Sequence, residues 1–109
     1  MKKFELYESV NEVFNKVYYE LRELARKKPD AILSKEKVKL LNRLLVDIKL
    51  ILKGISTEKY LDLLDDELLP QYSDALLILA QYLAAMEKFK STNYSFNNGW
   101  SAFAEKNIK

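Results

Sequence analysis

The chain has 109 residues, 49% apolar and 31% charged, a composition that suits one small globular domain and excludes a disordered or low-complexity protein. It contains neither cysteine nor histidine, which removes disulfides, thiolate nucleophiles, imidazole bases and the usual zinc ligands. A formal net charge of +2 gives no pull toward nucleic acid by itself.

No apolar run approaches the roughly 18 residues needed to span a bilayer. The start, Met1-Lys2-Lys3, is followed by Glu5, Glu8 and Glu12, which interrupt the apolar stretch that a signal peptide requires. The expectation is a cytoplasmic protein, with peripheral attachment to a membrane surface allowed by its lysines.

A first helix is expected over about 3–28, because Tyr7, Val10, Phe14, Val17, Leu21 and Leu24 recur at alternating spacings of three and four. Arg26, Lys27 and Lys28 place positive charge at its negative end, and Pro29 stops it. Residues 30–33 read as a turn, with Ala31, Ile32 and Leu33 plugging the end of the core.

A second helix is expected over 35–53, capped by Ser34, with Val38, Leu41, Leu44, Leu45, Ile48, Ile51 and Leu52 facing inward. Gly54 follows as the residue for which a left-handed C-terminal cap is easiest. Lys35, Lys39 and Arg43 share one face of this helix and form a candidate basic surface for phosphate. No aromatic residues interleave with them, so nucleic-acid binding is disfavoured.

A shorter third helix is expected over 57–69, capped by Ser56, with Tyr60, Leu61, Leu64 and Leu68 inward and Pro70 ending it. Asp62, Asp65, Asp66 and Glu67 are the densest carboxylates, and Asp62 and Asp66 would share a helix face at a spacing that can hold a divalent cation. A solvated acidic face accounts for them better, since no second helix brings matching ligands; neither metal nor cofactor is expected.

The fourth helix, over 73–90 with Ser73 as its cap, is apolar nearly all round between 75 and 86. Only Gln81 and the Tyr82 phenol interrupt it; they could floor a polar pocket, but residues of this kind are more often satisfied inside the core or at its rim. Such a helix is either the centre of the bundle or one side of a homodimer interface. The tail, 91–109, carries Tyr94, Phe96, the single Trp100 and Phe103 outside any clear periodicity. These aromatics are expected to fold back over helices 3 and 4 and to leave part of their surface for a protein partner.

The elements together predict an all-α protein, an antiparallel four-helix bundle with an ordered aromatic C-terminal tail. The size, the lysine-rich start, the helix order, the run Leu41-Asn42-Arg43-Leu44-Leu45 and the apolar last helix leading into residues 94–103 resemble one known family. This is the family of small cytoplasmic immunity proteins that protect Gram-positive bacteria against their own pediocin-like bacteriocins. The resemblance implies a four-helix bundle without enzymatic chemistry. It also implies a C-terminal segment that contributes to recognition, and a membrane receptor complex with bacteriocin bound as the partner. The acidic stretch 63–70 and the unusual apolarity of the fourth helix have no counterpart in that pattern. The alternatives are a small helical adaptor or regulator of phage or anti-toxin type, acting as a dimer or alone, and a nucleic-acid accessory protein.

Overall fold

The computed structural model of the protein describes residues 3–93. They form three α-helices, α1 (Lys3–Lys27), α2 (Lys35–Ile51) and α3 (Tyr72–Asn93), with a single 3-10 turn at Glu58–Tyr60. The fold is all-α, as expected, but it is not a four-helix bundle: the stretch expected to be the third helix is one turn followed by extended chain.

α1 forms as its periodicity requires. Tyr7, Val10, Phe14, Leu21 and Ala25 are buried and Val17 is half-buried, while Leu24 stays 44% exposed. α2 buries Val38, Leu41, Leu45, Ile48 and Ile51, and its expected cap is present, the Ser34 hydroxyl accepting from the Lys37 amide at 3.2 Å. The helix is capped at Leu52 and not at the expected Gly54, which follows two residues later in the left-handed conformation, φ +89°. The three helices share one core, in which each fully buried Leu, Ile or Phe contributes about 1.5–3 kcal/mol.

The helix directions follow from contacts at the two ends of the molecule. At one end the Tyr7 and Phe89 rings stack with centroids 5.4 Å apart, and the Tyr7 hydroxyl donates to the Met86 carbonyl at 3.3 Å. At the other, the Ser73 amide donates to the Pro29 carbonyl at 3.1 Å and Lys37 reaches the Tyr72 hydroxyl at 3.5 Å. α1 therefore runs antiparallel to both α2 and α3. A short bridge, Ile32 with Gln71, stitches the two connections together through Leu33 N–H to Pro70 O (3.0 Å) and Tyr72 N–H to Ala31 O (2.8 Å). Of the expected plug at this end, Leu33 is buried and Ala31 half-buried, whereas Ile32 is exposed.

The expected third helix fails for identifiable reasons. A helix over 57–69 would set Asp65, Asp66 and Glu67 in its last turn, against the negative end of its own dipole. Pro70 also disfavours helical geometry at Leu69. Asp65 instead bends the chain locally, its Oδ1 accepting from the amides of Glu67 (2.8 Å) and Leu68 (2.9 Å), which holds its carboxyl below the ordinary range. Leu61 and Leu64 are buried, whereas Tyr60 and Leu68, expected inward, lie on the surface, Leu68 at 80% exposure. Ser56 caps no helix; its hydroxyl lies 3.4 Å from the Lys88 ammonium. Ser73 is likewise not a cap but a residue of the first turn of α3.

Candidate functional site

Two surfaces follow from this arrangement, one closed and one open. α2 and α3 touch each other little, and the extended residues 61–64 fill the space between them. Three side chains hold that segment by its backbone. The Asn42 amide brackets Leu64, donating to its carbonyl and accepting from its amide, both at 2.9 Å. The Lys49 ammonium donates to the Leu61 carbonyl at 2.9 Å, and the Tyr82 hydroxyl to the Asp62 carbonyl at 2.7 Å. Sequence reasoning missed this role for all three, although an asparagine and a tyrosine on otherwise apolar helix faces are the residues that seek backbone partners when buried. Tyr82 and Gln81 do not floor a pocket: Tyr82 is buried with its hydroxyl satisfied, and Gln81 is exposed. Burial raises the Tyr82 phenol well above its usual pKa, with the charge of Asp62 adding to the effect.

The open surface lies between α1 and α2. Val13, Val17, Leu21 and Leu24 of α1 face Leu40, Leu41 and Leu44 of α2, with Leu33 closing one end, around an apolar groove of about 420 Å³. Val13 is 52% and Leu40 63% exposed, so the walls are wet hydrocarbon rather than core. Charges frame it on both sides: Glu20 on α1, and Lys37, Arg43 and Asp47 on α2. Val13 with Val17, and Leu40 with Leu44, are apolar pairs four residues apart that widen each helix's buried stripe. That excess width was the available signal for a second apolar face.

The basic surface Lys35, Lys39 and Arg43 is exposed, as the helix spacing requires. It is not uniformly basic: Asp66 and Asp47 join Lys39 and Arg43 around one shallow depression. The acidic stretch thus lies against the basic helix face and offsets it. With 62–66 extended, Asp62 and Asp66 share no helix face, and among the described residues no group of three or more acidic side chains is placed to hold a metal ion. On α3 the only large apolar side chain left exposed is Leu77, among the described residues, which is a small basis for a homodimer through that helix. No described helix is long and apolar enough to cross a membrane. The expected binding residues Tyr94, Phe96, Trp100 and Phe103 lie outside the described residues, and so does their expected docking on the last two helices.

The described residues form an all-α protein of three helices with an apolar face between α1 and α2 that no described residue covers. No protein-family model matches the chain, and no curated protein or solved structure is significantly similar to it.

Proposed function

We propose that this is a non-enzymatic protein-binding protein whose recognition face is the α1–α2 groove, taking an amphipathic helical segment of a partner protein. The observation that carries the reading is the apolar groove itself, which no described residue covers. Two neighbouring helices with apolar walls and charged rims are the surface into which a third helix lays its apolar side, anchored at positions such as i, i+3 and i+7. Acidic and basic groups on the rims, Glu20 and Asp47 with Lys37 and Arg43, would set the orientation of that helix rather than supply most of its affinity. The absence of histidine and cysteine from the chain supports the non-enzymatic part of the reading.

The test is a photo-crosslinking side chain placed at position 40, with position 77 on α3 as the control, in the cells from which the protein comes. A partner cross-linked from position 40 and not from position 77 supports the groove. Equal labelling from both positions, or none from position 40, refutes it. Immunity to a pediocin-like bacteriocin, from the cytoplasmic side of a membrane receptor complex, is a particular case of this reading. It has lost one support, the fourth helix that the resemblance implies. Its own test is expression in bacteriocin-sensitive cells: survival under challenge that Leu40→Glu abolishes would establish it, and undiminished killing would remove it.

A further inference from the structure

We infer that the helix taken by the α1–α2 groove is α2 of a second copy of this chain, lying antiparallel to the first about a two-fold axis at the level of position 42. The inference rests on the partner reading above and commits it to one occupant. Its basis is the lip of the groove that α2 provides. Lys37, Leu40, Leu44 and Asp47 follow one another at intervals of three, four and three residues, which keeps them on one helix face, and all four line the groove. Charge, leucine, leucine, charge reads the same in both directions about position 42, with the two end charges opposite in sign. Asn42 itself looks the other way, toward Leu64.

A two-fold axis there sets Leu40 of each copy against Leu44 of the other, and Lys37 of each against Asp47 of the other. The surface complements itself, which is what an isologous interface requires. A helix from an unrelated protein would ask for no such symmetry on this side. From Lys37 to Asp47 is ten residues, about 15 Å of helix and within the length of α2, so both charge pairs form at once. The two groups are available for pairing. Among the described residues neither is in an ion pair, and Lys37 meets the neutral Tyr72, with its hydroxyl at 3.5 Å and its ring centre at 5.9 Å. The rim as a whole balances Glu20 and Asp47 against Lys37 and Arg43, so two copies meet without net repulsion. Leu40, the most exposed apolar side chain of the groove, loses its water against the second copy.

The test exchanges the charges in the full chain and follows its mass by sedimentation. The unmodified chain should form a dimer that dissociates on dilution. Lys37→Asp places carboxylates opposite one another at both ends of the interface, and Asp47→Lys places ammonium groups there. Each should raise the dimer dissociation constant about tenfold or more. An equal mixture of the two variants should associate again, because each then offers the other an opposite charge at both ends. Leu40→Glu should also dissociate the dimer, and Leu77→Glu on α3 should not. All four positions are exposed, so far-UV circular dichroism should stay native throughout. The inference is overturned by a chain that is monomeric at every concentration, or by a dimer that survives Leu40→Glu. It is equally overturned by charge variants whose mixture associates no better than either alone. A monomeric chain that still cross-links a different protein from position 40 removes this inference and leaves the partner reading standing. Absence of any cross-link from position 40 removes that reading.

Discussion

Asn42 carries more of this fold than its type suggests. It gives the Leu64 peptide both a donor and an acceptor, so truncating it strands two partly buried backbone groups. Asn42→Ala should cost about 2–3 kcal/mol in urea unfolding, against under about 0.5 kcal/mol for the exposed neighbour Arg43→Ala. Two buried phenols set a second expectation. Burial, with smaller contributions from Glu87 and Glu8, raises Tyr7 from 10.0 to about 12, and burial also raises Tyr82. Their folded-state values lie above the unfolded ones, so the stabilisation is complete below pH 10. It is lost as pH rises from 10 toward 12 and beyond, because the unfolded chain gives up its protons first. At Tyr7 the loss is at most about 3 kcal/mol. Tyr7→Phe should flatten the alkaline limb of the stability profile measured by urea unfolding.

At the scale of the element, the helices were legible wherever an apolar stripe and its punctuation agreed. Pro29, Ser34 and Gly54 mark the ends of α1 and α2 to within three residues, because each acts through its own backbone or side chain. The stretch 57–69 was misread because leucines three and four apart also suit a chain that turns once and then runs extended. What decides between the two is tertiary: Asn42, Lys49 and Tyr82 offer that backbone partners which a helix would already have used internally. The carboxylates at 65–67 read as a solvated surface or, less well, as cation ligands, although their position at a helix C-terminus argues against the helix itself. The consequence is measurable. Leu64→Ala should destabilise by about 2–4 kcal/mol, because the side chain is buried, and Leu68→Ala by under about 0.5 kcal/mol. Equal costs in chemical denaturation would restore a helix with both leucines inward.

At the scale of the whole molecule, the extended segment closes the α2–α3 side and nothing in the described chain closes the α1–α2 side. The groove was not legible in advance because a four-helix bundle would have assigned every apolar face a neighbour. The surplus width of the stripes on α1 and α2 became meaningful only once one of those neighbours proved not to be a helix. The basic surface on α2 was visible, but its offset by Asp66 depends on the same misread segment.

The central claim, that the α1–α2 groove is a protein-binding face, is tested most directly by a dissociation constant. The partner cross-linked from position 40 should be titrated against the unmodified chain, Leu40→Glu and Leu77→Glu in a calorimeter. A carboxylate in the apolar wall should weaken binding by tenfold or more, about 1.4 kcal/mol, while Leu77→Glu leaves it unchanged. Equal affinity for all three proteins would contradict the account.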